Sequence, residues 1–330
     1  MPKRWTKVGE YMEQETKHTI EDLRAMQSWD LNRKIMVTQT RIMEWYMRFN
    51  GQVYVSFSGG KDSTVLLDIA RKIYPDIPAV FCDTGLEYPE IREFVKTIAN
   101  VTWIKPAKNF KQVIMEHGYP VVSKEISRKI HYAKQGAEWA VKYVTGETLK
   151  DGKPSLYNVS KRWRNLVDAP FGVHDYCCYV MKKQPLAKYQ KETKNKPIVA
   201  TMADESNFRT QWWLKSGCNS FDTKKPMSKP MSFWTEQDVL QYIKRFNIPY
   251  CSVYGDIVPT NGNEDVLTTS DCKRTGCMFC MFGCHLEKEP NRFQRLKDSH
   301  PKQYEYMLKP ISEGGLGLKE VLDYIEVPYE

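Results

Sequence analysis

Six consecutive residues, Ser58, Gly59, Gly60, Lys61, Asp62 and Ser63, have the types and spacing to hold a phosphate group. They separate a short apolar run at 53–57 from an amphipathic run at 63–74, so the pattern predicts a strand, a turn, and a helix that begins at a serine. Unpaired amides at a helix start carry partial positive charge and attract an oxyanion. Glycines 59 and 60 let the backbone come close to that anion, where a β-carbon would intrude. Lys61 adds a full charge, and Ser58 and Ser63 offer hydroxyl donors. The spacing is not that of the Walker loop, which needs four residues between its first glycine and its Gly-Lys pair.

The second chemistry-bearing group is sulfur. Six of the nine cysteines fall in two groups, Cys177 with Cys178, and Cys272, Cys277, Cys280 and Cys284. Adjacent cysteines bind one tetrahedral zinc poorly, but they can address different irons of a cluster. The distal group alone, Cys-x4-Cys-x2-Cys-x3-Cys, is also a compact four-thiolate site. A [4Fe-4S] cluster is expected, with structural zinc as the rival metal. Cys82, Cys218 and Cys251 are assigned no chemistry; Cys82 lies in an apolar strand and reads as a small buried hydrophobe.

The elements that must position these groups follow from the hydrophobic pattern. Strands are predicted at 53–57, 78–84 and 101–106, and helices at 63–74 and 88–99, an alternation that implies parallel βαβ units. Residues 107–170 lose the strand signal and read as a basic helical insertion. Alternation returns with a helix near 183–193, a strand at 197–203 and a helix at 234–247, where Thr235 and Asp238 stand at capping-box spacing. Three regions result: a helical segment at 1–50, a nucleotide-binding α/β domain at 51–250 carrying the insertion, and a Cys-rich lobe at 251–330 with helical patterns at 290–299 and 301–308.

The motifs resemble the PAPS reductase-like branch of the adenine nucleotide α-hydrolase, or PP-loop, superfamily. Ser-x-Gly-Gly-x-Asp-Ser after the first strand is similar to its PP-loop, and "DTGLEYPE" at 83–90 to a motif of that branch. "CCYVMKKQPL" at 177–186 is similar to the Cys-Cys segment of sulfonucleotide reductases, and "WTEQDVLQYIKRFNIPY" at 234–250 to the helix before their Cys-x-x-Cys. The likeness runs in order over roughly residues 50–285. It implies a Rossmann-like doubly wound, mostly parallel sheet with nucleotide at the carboxyl ends of its strands. It also implies that residues 58–63 surround the phosphates, with Asp83 and Gly85 beside the same crevice, and that Cys177, Cys178, Cys277 and Cys280 hold the cluster. Asp83 is a candidate for Mg²⁺ or for a helix cap, and Arg209 a candidate phosphate clamp or the partner of Asp204 or Glu205.

Two reactions fit such a site. In one, ATP adenylates an acceptor oxygen and releases pyrophosphate, Lys61, Asp62 and Asp83 serve the chemistry, and a donor protein supplies sulfur. In the other, PAPS or APS is reduced to sulfite with a reductant protein. Sulfonucleotide reductases end in a Glu-Cys-Gly-Ile/Leu-His tail that carries the attacking thiol, whereas this chain's last cysteine is Cys284 and its final residues are "LDYIEVPYE". ATP-dependent sulfur transfer is therefore the expectation, reductase the alternative, and a nucleotide-binding regulator without turnover the third possibility.

Charge bears on the acceptor. The chain carries a formal +9, and residues 101–200 hold 19 Lys and Arg against 8 Asp and Glu, a balance of +11. In the insertion and the segment after it these cations alternate with Tyr132, Trp139, Tyr143, Trp163, Tyr179 and Tyr189, the composition of a surface for tRNA or DNA. No run of eighteen apolar residues and no apolar leader occurs, so a cytoplasmic protein, capable of forming oligomers and without a membrane partner, is expected.

Overall fold

Val53, Tyr54 and Val55 are fully buried, as a strand covered on both faces must be. In the computed structural model, which describes residues 16–260 and 263–330, they form the centre of β1 (Val53–Ser56). Around it stand β2 (Ala79–Cys82), β3 (Val101–Ile104), β7 (Lys196–Ile198), β8 (Asn219–Ser220) and β9 (Met227–Ser228) in the order β3-β2-β1-β7-β9-β8. β1 runs parallel to both β2 and β7, and β7 parallel to β9; β8 closes the edge antiparallel. The fold is α/β with a mostly parallel, Rossmann-like sheet. Among the described residues no helix is long and apolar enough to cross a membrane.

The chain divides into two compact units. The first holds the described residues up to Phe81, Pro89–Trp103 and Tyr189–Arg274; the second holds Cys82–Tyr88, Ile104–Lys188 and Thr275–Glu330. The first thus joins the N-terminal helices, Ile20–Gln27 and Leu31–Arg48, to the sheet. Lys34, only 2% exposed, donates from Nζ to both carboxylate oxygens of Asp238 at 2.7 and 2.6 Å, and to the Gln27 carbonyl at 2.7 Å. Asp238 also accepts from the Thr235 amide, completing the capping box of helix Glu236–Phe246.

The second unit is held by one apolar core. Val113, Val121, Ile130, Leu166, Met281, Phe293 and Leu322 share it, so the basic insertion and the C-terminal segment bury their faces together. β4 (Val121–Val122) pairs in parallel with β12 (Met281–Phe282). The insertion is not wholly strandless, because β4 and the hairpin β5 (Leu149–Lys150) and β6 (Lys153–Pro154) lie within it. In the first unit β10 (Ile257–Thr260) and β11 (Asn263–Thr269) form a further antiparallel pair.

Candidate functional site

The first helix after β1 runs from Lys61 to Ile73, with Gly60 as its N-cap. It begins two residues before the serine start expected from the pattern, because Lys61 and Asp62 take helical geometry once Gly60 has turned the chain. Gly59 has φ +72, which glycine adopts without a steric cost. Gly60 brings no side chain to cap the first turn. The hydroxyls of Ser58 and Ser63 lie 3.0 Å apart, and the Ser58 amide donates to Ser63 Oγ. Lys61 is 4% exposed; its Nζ donates to the Lys273 carbonyl at 2.9 Å and pairs with Glu236 at 3.0 Å, and its amide donates to the Tyr254 hydroxyl. Burial raises the Asp62 carboxyl, with Lys61 opposing the shift. The loop is therefore a closed hydrogen-bonded turn whose cation is held by a carboxylate and a carbonyl.

Arg209 lies in helix Asn207–Ser216 of the same unit and is ion-paired with Glu205, one of the two partners expected for it. Asp83 and Gly85 belong to the second unit, in the segment that follows β2. Asp83 is 5% exposed, its Oδ1 accepts from the Gly85 amide at 3.2 Å, and its other oxygen stands 4.0 Å from Lys105 Nζ. The carboxylate closes the turn at Gly85, and helix Pro89–Thr97 starts beyond it. Thr84 and Glu87 bond to each other in this turn.

Cys177, Cys178, Cys277 and Cys280 line one cavity in the second unit, partly open to solvent. Its other walls are Leu86, Phe110, Pro120, Met181 and Phe279, and its one charged wall is Lys182. Cys177 and Cys178 precede a π-helical turn, Tyr179–Lys183, that leads into helix Gln184–Thr193; such turns recur at functional sites. Cys177 Sγ donates to Cys178 Sγ at 4.0 Å. That bond raises the Cys177 thiol and lowers the Cys178 thiol, which Lys124, Lys182 and Lys183 lower further against the effect of burial. Burial pushes Cys277 up to about 11 and also raises Cys280. Burial acts to lower Lys182, but Cys277 and Glu87 raise its ammonium. Among the described residues no three His, Cys, Asp or Glu groups stand close enough to hold a single ion.

The distal grouping is not gathered in this way. Cys284 is 1% exposed, absent from the cavity wall, and donates to the Met281 carbonyl; Cys272 falls in the first unit and donates to the Arg274 carbonyl at 3.0 Å. Of the six aromatics interleaved with the cations, Trp139 and Tyr179 are exposed, Trp163 is buried, and Tyr189 packs edge-on against Tyr54. Lys182 was not singled out by spacing, although its place four residues after Cys178, one helical turn on, was the available signal.

The sequence matches the family model described as the phosphoadenosine phosphosulfate reductase domain over residues 52–135 and 124–282. The chain is 25% identical over 227 residues to the adenosine 5'-phosphosulfate reductase of Staphylococcus haemolyticus, covering 67% of this chain and 73% of that protein. It is 24% identical over 216 residues to the phosphoadenosine 5'-phosphosulfate reductase of Gloeobacter violaceus, covering 65% and 70%. Among solved structures, the PAPS reductase from Candida auris in a phosphate complex aligns with a TM-score of 0.38 and 13% identity, covering 71% of this chain and 90% of that one. With more than half of its length matched by one family model, including the glycine loop and both cysteine pairs, this chain belongs to the phosphoadenosine phosphosulfate reductase domain family.

Proposed function

We propose that the protein is an iron-sulfur enzyme that uses ATP at residues 58–63 to activate an acceptor, a nucleic acid or nucleotide, for sulfur transfer. The observation that carries the cluster is the convergence of Cys177, Cys178, Cys277 and Cys280 on one cavity. One thiolate for each iron satisfies a [4Fe-4S] cluster, and the adjacent pair Cys177 and Cys178 serves different irons more readily than one tetrahedral zinc. Such a cluster with four thiolates is a dianion in its common oxidised state, and Lys182 supplies a cation on the wall. When bound, it would supply electrons. Mg²⁺ would ride chiefly on nucleotide phosphates and water, as is its habit. Lys61, drawn from Glu236 and the Lys273 carbonyl to the phosphates, would stabilise the charge that develops as pyrophosphate leaves.

Four of the five thiols outside the cavity support transfer over reduction. Burial pushes Cys82, Cys218, Cys251 and Cys284 up to about 12, 11, 11 and 12, so none is an activated nucleophile for a sulfonucleotide. Sulfonucleotide reduction, with the attacking thiol supplied by a partner, remains the second reading, favoured by the named relatives. Anaerobically purified protein given ATP, candidate acceptors and sulfide as the sulfur source should release pyrophosphate on adenylation and AMP on its displacement by sulfur, and Lys61→Ala should lower that rate at least 100-fold. Sulfite release from PAPS with thioredoxin, without ATP, would replace the first reading by the second. Iron and sulfide should be present at about four each per chain; stoichiometric zinc instead would overturn the cluster.

A further inference from the structure

Two tyrosines flank the adjacent cysteines in sequence, and both are exposed, Tyr176 to 37% and Tyr179 to 45%. Their ring centres lie 4.9 Å apart with planes 32° from parallel. The Tyr176 carbonyl accepts from the Tyr179 and Val180 amides at 2.9 and 3.1 Å, which fixes the backbone between the rings. From behind, His117 and His174 brace the Tyr176 ring, with centres 4.7 and 5.3 Å away. Tyr179 is the outer end of this row: among the described residues its ring meets no aromatic ring other than Tyr176. Buried tyrosines elsewhere tie their hydroxyls down, as Tyr119 does on the Leu316 carbonyl and Tyr304 on the Tyr329 carbonyl. Among the described residues neither Tyr176 nor Tyr179 has such a partner for its hydroxyl. Lys124 opens helix Lys124–Lys134 and Lys183 ends the π-helical turn; both are exposed and both act on the thiol of Cys178, the residue before Tyr179. Neither lysine is paired with a carboxylate among the described residues. The carboxylates around them are engaged already, Asp175 with Arg128 at 2.5 Å, Glu125 with Lys129, and Glu87 with Thr84 and Lys182. Open π faces beside unpaired cations suit a single strand of nucleic acid, whose unstacked bases lie on rings while its phosphates meet ammonium groups. A duplex hides its base faces and gains from the charge alone.

We propose that Tyr179 and Tyr176 form a stacking platform for unpaired bases of the acceptor polynucleotide, with Lys124 and Lys183 taking its phosphates. The inference rests on the nucleic-acid reading of the acceptor and gives that acceptor a place, beside Cys178 on the cavity of the second unit. A base on Tyr179 continues the row of rings that His117 and His174 begin, so the platform is rigid before the strand arrives and little ordering is needed on binding. Every base has a π face, so stacking of this kind accepts any sequence. Single-stranded DNA and RNA share this chemistry, and only contacts to the 2'-hydroxyl separate them.

The test is fluorescence anisotropy on the anaerobically purified full chain, with short labelled single strands of DNA and of RNA, a duplex, and an abasic strand of equal charge. Tyr179→Ala should weaken the single strands about tenfold while the duplex and the abasic strand change less than twofold. Tyr179→Leu, which keeps apolar bulk without a π face, should lose as much, and Tyr179→Trp should bind as the parent does. Replacing Lys124 and Lys183 together by alanine should lessen the slope of log affinity against log salt by about 1.4. Whichever of DNA and RNA loses more on Tyr179→Ala is the strand the platform serves, and equal losses assign it to both. If Tyr179→Ala and Tyr179→Leu bind the single strands as the parent does, or weaken the abasic strand equally, the platform is wrong while the acceptor reading stands. If the parent binds no strand even at low salt, the nucleic-acid reading of the acceptor fails and the platform with it.

Discussion

Gly59 and Gly85 share positive φ, +72 and +73, but their surroundings differ. A β-carbon on Gly59 would stand 2.8 Å from both Ile91 Cγ2 and Val95 Cγ2, whereas one on Gly85 meets nothing within 4 Å. Gly85→Ala should therefore cost about 1 kcal/mol of backbone strain alone, and Gly59→Ala about 2–4 kcal/mol by adding overpacking. Urea unfolding measures the difference, and ATP binding should fall at least tenfold only for Gly59→Ala. Lys229 gives a pH signature. Its folded pKa, held down to about 7 by burial and the Arg209 charge, lies below the ordinary lysine value, so the destabilisation is complete below pH 7 and is relieved as pH rises from there toward 10.5. Lys229→Met should accordingly melt several degrees above the parent at pH 6, and the gap should close by pH 10. The turn at Ser58–Ser63 was legible because its geometry is set by neighbouring residues. The partners of Lys61 were not, since the Lys273 carbonyl is 212 residues away.

At the scale of elements, helix Glu236–Phe246 shows how a local signal acquires a distant role. Its capping box was readable from Thr235 and Asp238, and Thr235→Ala should cost about 1 kcal/mol through the lost cap. The ion pair from Asp238 to Lys34 was hidden, because nothing in either helix indicates that a buried lysine will meet that cap. Lys34→Met leaves the Asp238 charge buried without its partner and should cost about 3–5 kcal/mol. Thermal melts of the two variants and their combination would show whether the cap depends on the pair. Each helix and strand expected along the alternating stretch is present from β1 to the helix capped by Thr235, whereas helix Asn207–Ser216 was not anticipated. The two-residue strands β4, β5, β6, β8, β9 and β12 were missed because such pairings have no periodicity to detect, and the β10–β11 pair was missed within the stretch read as a Cys-rich lobe.

At the scale of the whole molecule, the two units are each assembled from three chain segments, so sequence neighbours and structural neighbours diverge. The second unit's core draws on residues on both sides of the sheet-forming stretch at 189–274. Truncation after Arg274 should expose Val121, Ile130 and Leu166, and the fragment should be digested by protease in that unit and retain no iron. Replacing Cys177 and Cys178 together by alanine in the full chain should abolish the iron signal while Cys272→Ala spares it, as read by visible absorbance and iron content. The net charge of +9 adds an expectation for nucleic-acid acceptors: affinity should fall steeply between 50 and 200 mM salt, by roughly tenfold or more.

The sequence alone determined the strand, glycine turn and helix at residues 53–73, the parallel α/β alternation and the family, since each rests on neighbours within a few residues or on motifs kept in order. Only the tertiary structure decided which cysteines share a cavity, which carboxylate holds Lys61, and that Lys229 has a cation for its neighbour. The physical reason is distance along the chain. Backbone preference and hydrophobic period act over a few residues, whereas desolvation and charge pairing act through space, between groups that come together only when the core has formed.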